Sequence, residues 1–347
     1  MAVKRTAKRF LYAGCVIVLV ALVACGALAC HVLYMPAFAS SETKYVCIGE
    51  DGGDFGRLCR TLRDSAGCEN IRFFEILAKL RKYPENMKPG RYAVEPGMSC
   101  HTLLNRLRRG QQAPVRLTFN SLRLVSDLAD RIAGQLMLDS DELLMCLSDE
   151  DRCESLGFNT TTVKTMFIPD TYEVYWNISA DKLMERLKRE YDAFWSADRL
   201  KKAESIPLTP VQVSILASIV EEETAAPDEY PIVAGLYINR LIKGMPLQAD
   251  PTVKYATGDF SLKRILNKHL KVDSPYNTYL YDGLPPGPIR IPSQKSIDAV
   301  LNYTRHNYLY MCAKEDFSGR HNFAVTLREH NRNADRYRAQ LNRSGIR

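Results

Sequence analysis

A chain of 347 residues has room for about two domains and a sizeable core. Its composition, 46% hydrophobic and 25% charged, excludes a disordered or fibrous protein, and six histidines with ten cysteines in no CxxC pair argue against a zinc site. The net charge of +7 includes an N-terminal basic cluster; it suits a polyanionic surface such as cell wall or lipid headgroups and does not require nucleic acid.

The first element predicted is apolar. Lys4, Arg5, Lys8 and Arg9 precede a nearly uninterrupted hydrophobic stretch from Phe10 to Met35, longer than the roughly 20 residues a helix needs to cross a bilayer. The flanking basic residues put residues 1–9 in the cytoplasm, a transmembrane helix over 10–35, and the rest of the chain outside. Two alternatives compete. A cleaved signal peptide has a shorter apolar core, of about 7–15 residues, and Leu22-Val23-Ala24-Cys25 resembles a lipobox that would lipidate Cys25. An extracytoplasmic location permits disulfides, with Cys59–Cys68 and Cys146–Cys153 as the short-range possibilities.

After the apolar stretch, residues 40–50 read as an exit into a first strand, and Asp51-Gly52-Gly53-Asp54 as a turn. A helical pattern runs from Phe55 to Lys82. Lys88-Pro89-Gly90 marks a second turn, followed by a short strand over 91–94 and a helix over 99–109 capped by Gly110. Val115 to Phe119 alternates like a strand. This small α+β unit holds no constellation of His, Cys and acids, so its expected role is binding or positioning. Residues 121–205 are mostly helical, interrupted by Phe167-Ile168-Pro169-Asp170-Thr171-Tyr172. Tyr172, Tyr175 and Trp176 could stack on sugar rings, although such clusters are usually core.

The most informative helix comes next. Thr209 suits an N-cap and Pro210 the first helical position. Val211, Ile215, Leu216, Ile219 and Val220 recur at helical spacing and run into Glu221-Glu222-Glu223. With residues about 100° apart, the aliphatics form one broad face, and Glu222 and Glu223 fall at its edge or within it. Glu221 falls opposite, above Ser214, Ala217 and Ser218, whose small side chains leave room for a bulky ligand. Periodicity alone does not choose among the three acids. Three carboxylates at a helix C-terminus oppose the macrodipole, and a carboxyl kept protonated by burial is what a general acid for glycosidic cleavage requires. A further helix is predicted from Pro231 to Leu241. Beyond Gly244 the chain is rich in turn residues, including 247–252, 274–279 and 283–288, and loops on rigid elements often carry function.

Several ordered motifs then coincide: Ile219-Val220-Glu221-x-Glu223-Thr224, Tyr237-Ile238-Asn239-Arg240-Leu241, Leu247-Gln248-x-Asp250-Pro251-Thr252-Val253, Tyr276-Asn277-Thr278-Tyr279 and Gly283-Leu284-Pro285-Pro286-Gly287-Pro288-Ile289. Lys88-Pro89-Gly90-Arg91-Tyr92, Ile168-Pro169-Asp170-Thr171-Tyr172, Phe323 and His330-Asn331 add to them. In these residues the chain resembles the endolytic murein transglycosylase family, the membrane-anchored YceG-like proteins. The resemblance implies an α+β fold with a LysM-like domain over residues 43–118 and a mixed α+β catalytic domain over 119–347. It also implies an enzyme, a carbon–oxygen lyase acting on polysaccharides. The expected reaction is non-hydrolytic cleavage of the MurNAc–GlcNAc β-1,4 bond within nascent peptidoglycan, leaving 1,6-anhydroMurNAc ends and terminating strand elongation.

From that resemblance Glu221 is the expected catalytic acid, protonating the leaving oxygen and then accepting the proton of the sugar's own 6-hydroxyl. Glu223 is its rival, with a structural role as the alternative. Gln248, Asp250, Tyr276 and Asn277 are expected to line the glycan cleft, and Arg240 to bind a stem-peptide carboxylate or brace Glu223. No metal or organic cofactor is expected. The expected partners are glycan strands, the membrane synthases that make them and the membrane itself. The rival readings are a muramidase-type hydrolase, with Asp250 or another acid activating water, and a non-catalytic wall-binding scaffold.

Overall fold

The structure, a computed structural model, describes residues 16–24, 26–27, 31, 33–50, 53–262 and 264–344. Two compact units are present: Met1–Val115 with Glu173–Asn177, and Arg116–Tyr172 with Ile178–Arg347. The predicted apolar span over 10–35 lies partly outside the described residues. Within them, residues 16–24 are helical, and no described helix is long and apolar enough to cross a membrane.

In the smaller unit, β1 (Lys44–Ile48) pairs antiparallel with β2 (Gly90–Val94), Val46 facing Tyr92. Val46, Ile48, Tyr92 and Val94 are buried, as strict alternation requires of a strand covered on one face. On the other face the Arg91 guanidinium lies 3.4 Å from the centroid of the Tyr45 ring. Between the strands run α1 (Phe55–Asp64) and α2 (Ile71–Leu80), and α3 (Cys100–Arg109) follows β2. The single helical pattern predicted over 55–82 is thus two helices. The chain breaks at Gly67, which takes a left-handed φ of 68°, and restarts at Asn70, whose side chain caps the Phe73 N–H. Ser99 and Gly110 cap α3 as expected. All seven described cysteines outside the apolar stretch are free thiols, so neither Cys59–Cys68 nor Cys146–Cys153 is bridged.

The larger unit starts at Arg116, within β3 (Val115–Phe119), and continues with α4 (Val125–Ala133), α5 (Ser140–Ser148) and α6 (Glu150–Ser155). Of the aromatic turn predicted over 167–172, the part from Asp170 onward belongs to β4 (Asp170–Val174), which pairs with β3. Tyr172 stacks on Phe119 with ring centroids 5.6 Å apart and is buried, so it belongs to the core and not to a sugar platform. Helices α7 (Ala180–Phe194) and α8 (Ala197–Glu204) lead to the central helix α9 (Pro210–Glu223), which opens on a capping box between Thr209 and Gln212. Then come α10 (Tyr230–Ile242), α11 (Asp250–Thr257) and α12 (Gln294–Leu301). The hairpin β5 (Tyr310–Ala313) with β6 (His321–Ala324) and a final α13 (Leu327–Arg343) complete the chain.

Helix α9 is buried on every side from Val213 to Val220. The expectation of open room above its small residues fails. Ser214, Ala217 and Ser218 are fully buried, α12 packs against α9, and the Ile289 N–H donates to the Ser218 hydroxyl at 3.1 Å. Small side chains here admit other main chain, not a ligand.

Helix α10 is held by the segment that leads into the hairpin. The Thr304 N–H donates to the Pro231 carbonyl at 2.9 Å, and the Asn239 amide donates to the carbonyls of His306 and Tyr308. Gly235 lies on this seam, and a Cβ there would sit 2.3 Å from the Thr304 carbonyl oxygen. Gly235→Ala is therefore expected to destabilise the larger unit by about 1–3 kcal/mol, read as a lowered thermal midpoint; an unchanged midpoint would show the seam to be loose.

Candidate functional site

A helix advances about 100° per residue, so Glu221, Glu222 and Glu223 leave the end of α9 in three directions and meet three environments. Glu221 faces the N-terminus of α12. Its Oε2 accepts from the Ser293 N–H at 2.7 Å and the Ser296 hydroxyl at 2.8 Å, and Arg290 Nη2 stands 3.7 Å from its Oε1. Ser293 is the N-cap of that helix, a position whose orphan N–H groups and dipole favour a negative charge.

Glu222 is clamped between two arginines. Arg123 Nη2 reaches both its oxygens, at 2.7 and 2.8 Å, and Arg290 Nη1 reaches Oε1 at 2.8 Å. Arg290 also donates from Nε to the Ser121 hydroxyl at 2.7 Å. All three charged side chains are largely shielded from solvent, so each depends on the others.

Among the described residues no cation is hydrogen-bonded to Glu223. Its Oε1 accepts from the Tyr237 hydroxyl of α10 at 2.5 Å. Burial raises its pKa to about 7; the Tyr237 hydroxyl opposes this, Asp250 adds to it, Arg240 opposes it, and Glu222 adds a smaller upward push. Glu223 lines a polar cavity of about 240 Å³, together with Tyr237, Arg240, Gln248, Asp250, Tyr279 and His321 among others. Glu221 is not among the residues lining it.

The remaining predicted residues divide. Gln248 and Asp250 do line the cavity. Gln248 holds a left-handed φ of 52°, rare for a residue with a Cβ, and its N–H donates to the Thr278 carbonyl at 3.0 Å. Asp250 begins α11 and accepts from the Tyr279 hydroxyl at 2.7 Å. Arg240 lines the cavity too, but its guanidinium is occupied by carbonyls: Nε donates to Leu309 at 2.7 Å, and Nη1 to Pro246 at 3.0 Å and Leu247 at 2.9 Å. Through Nε and Nη1 it braces the walls.

Two of the predicted residues fall outside this cavity. Asn277 is fully buried, with its amide donating to the Leu270 and Val272 carbonyls at 3.0 and 2.8 Å. It braces its own loop and does not line this cavity. Tyr276 packs on Tyr255 with centroids 4.7 Å apart, burial pushes its phenol up to about 12, and it does not line this cavity.

Sequence reasoning missed His321 and Glu229. His321 donates through its main-chain N–H to Glu229 Oε1 at 3.0 Å, and its Nδ1 lies 2.9 Å from Glu229 Oε2. The only signal was one of six histidines close to Phe323, and nothing in its spacing tied it to α9. Among the described residues no group of acids, histidines and cysteines could hold a metal ion.

The family model described as YceG-like matches residues 50–336. A protein named endolytic murein transglycosylase from Bacillus subtilis (strain 168) is 26% identical over 329 residues, covering 89% of this chain and 89% of that protein. Another of the same name, from Streptococcus pneumoniae, is 27% identical over 344 residues; the match covers 89% of this chain and 61% of the pneumococcal protein. Among solved structures, that of a YceG-like protein from Listeria monocytogenes is similar, with a TM-score of 0.56 and 27% identity. The match covers 84% of this chain and 99% of the other.

Removing Arg290 leaves Glu222 with one cation and deprives Ser121 and Glu221 of theirs. Arg290→Ala is expected to lower the free energy of unfolding by about 2–3 kcal/mol, measured by denaturant titration; a loss below a few tenths would mean that water replaces the guanidinium.

Proposed function

The chain belongs to the YceG-like family and is an enzyme of the lytic transglycosylase kind, and from that premise we propose that it cleaves the MurNAc–GlcNAc β-1,4 bond inside nascent peptidoglycan strands, with Glu223 as its acid. The observation that carries this reading is a carboxyl with its pKa raised to about 7, opening on a polar cavity and, among the described residues, bound by no cation. Glu223 combines a raised pKa with access to a cleft. Glu221, the acid expected from sequence, is held where its negative charge is favoured and away from that cleft.

In the proposed step, the Glu223 carboxyl gives its proton to the glycosidic oxygen as the C1–O bond breaks. The sugar's own 6-hydroxyl then attacks C1, closing the 1,6-anhydro ring, so no water enters the bond-breaking step. Gln248 and Asp250, presented at the cavity wall, are suited to hydrogen bonds with hydroxyl and N-acetyl groups.

A second reading has one observation in its favour: Asp250 shares the cavity with Glu223, so the pair could serve as base and acid of a hydrolase. Mass spectrometry of the products separates the two, because anhydro ends are lighter than hydrolysed reducing ends by one water.

Around this core we extend the proposal to location. The helical residues 16–24 leave Val16, Ile17, Val18, Leu19, Val20, Leu22 and Val23 between 57% and 69% exposed, an arrangement that water disfavours and a bilayer accepts. Together with the basic residues before it, this supports a single-pass anchor with the larger unit outside the cytoplasm, close to nascent strands and the synthases that make them. The β–α–α–β order of the smaller unit fits a LysM-like, wall-binding role.

Glu223→Gln is expected to cut glycan cleavage by at least about 100-fold, while Glu221→Gln retains most of it; the reverse pattern would return the acid role to Glu221. Because the protonated form is the working one, turnover should fall as pH rises through about 7. The same shift has a stability sign. The folded chain holds this proton more tightly than the unfolded one, so the contribution is full below about 4.5 and is lost as pH rises to about 7. Glu223→Gln should therefore be more stable than the parent above pH 7, by thermal melting; equal midpoints would place the carboxyl in water.

A further inference from the structure

The reaction has two proton transfers, and Glu223 accounts directly for one. The other is removal of the proton from the attacking 6-hydroxyl. His321, the first residue of β6, lines the same cavity as Glu223. Its surroundings resemble those of a base held by a carboxylate. Glu229 is only 5% exposed, and its two oxygens take three contacts: the His321 main-chain N–H at 3.0 Å, the His321 Nδ1 at 2.9 Å and the Thr224 hydroxyl at 3.0 Å. Burial acts to raise the Glu229 carboxyl, but the bonds from His321 and Thr224 outweigh it and hold it below its ordinary range.

An ionised carboxylate only accepts hydrogen bonds, so the Nδ1 facing it carries the ring proton and a neutral imidazole leaves its lone pair on Nε2. Among the described residues Nε2 has no hydrogen-bond partner. A carboxylate that fixes the tautomer, orients the ring and stabilises the imidazolium is the device that makes histidine an effective base.

We propose that His321, oriented by Glu229, is the base that receives the 6-hydroxyl proton, so that the acid and base roles fall on two groups. The inference rests on the reading of the Glu223 cavity as the reaction site. As Glu223 protonates the leaving oxygen and the C1–O bond breaks, an electron pair of O6 forms the C1–O6 bond. The O6 proton passes to His321 Nε2, giving an imidazolium opposite Glu229. Return of that proton through solvent to the Glu223 carboxylate restores both groups, and no other reactant is consumed.

The experiment is steady-state cleavage of purified glycan strands by the full chain and by Glu223→Gln, His321→Ala, His321→Gln and Glu229→Gln, with added imidazole as a separate arm. The expected result for His321→Ala is a kcat lowered about 10²–10⁴-fold at nearly unchanged KM, partly restored by imidazole, with Glu229→Gln shifted the same way by less. His321→Gln still offers Glu229 a donor, so it should fold normally and remain slow. Full activity in His321→Gln, or a His321→Ala loss that imidazole does not restore, would overturn the base role and leave a structural one. The two readings fail separately. An inactive Glu223→Gln beside a fully active His321→Ala removes only this inference, whereas an active Glu223→Gln removes the site on which it stands.

Discussion

Three adjacent carboxylates at the end of a helix that is buried on all sides set the problem that the larger unit solves. Helical geometry forbids a shared solution, because neighbouring side chains diverge by about 100°. Each acid is met by a different part of the chain: Glu221 by the N-terminus of α12, Glu222 by Arg123 and Arg290, and Glu223 by the Tyr237 hydroxyl. Two are engaged by hydrogen-bond donors. The third is left where charge is costly, and it is the one that reaches the polar cavity. The arrangement separates the work of closing the helix end from the work of holding a proton.

This division links stability to chemistry. Arg290 contacts Glu222 and Ser121 and lies near Glu221, tying α9 to the chain before α4 and to the segment before α12. Without those ties the helix end would carry unneutralised charge and fray toward water. Glu223 depends on that rigidity indirectly, since its raised pKa follows from exclusion of solvent. Placing a strained Gln248 and a protonatable acid in one cavity is a local cost that the well-packed α9, α10 and α12 around it offset.

Much of this was legible in the residues. The Thr209-Pro210 start of α9, the Ser99 and Gly110 caps and the alternation in β1 and β2 are local effects, and local rules predict them. The break at Gly67 was hidden because apolar positions on both sides keep helical spacing. The fate of the small face at Ser214, Ala217 and Ser218 was not local at all: sequence shows that space exists there, while only the fold shows that α12 fills it. The same limit applied to the acids. Helical phase gives three directions from α9, but which direction meets an arginine or a helix N-terminus is decided by residues distant in the chain: Arg290, 68 positions away, Ser293, 72 away, and Arg123, 99 away. His321 escaped notice for the same reason, since its partner Glu229 lies far back in the chain.

Arg240 shows how such a site tolerates change. Its guanidinium binds the carbonyls of Pro246, Leu247 and Leu309, joining the loop before α11 to the strand that enters the hairpin. Every residue type supplies a carbonyl, so this joint reads the path of the backbone and is blind to side-chain identity. The two walls can therefore drift in sequence, within the limits of packing, while the frame stays fixed. Relatives sharing about a quarter of their residues could keep one cavity shape and line it differently, which is a route to new glycan preferences without a new fold.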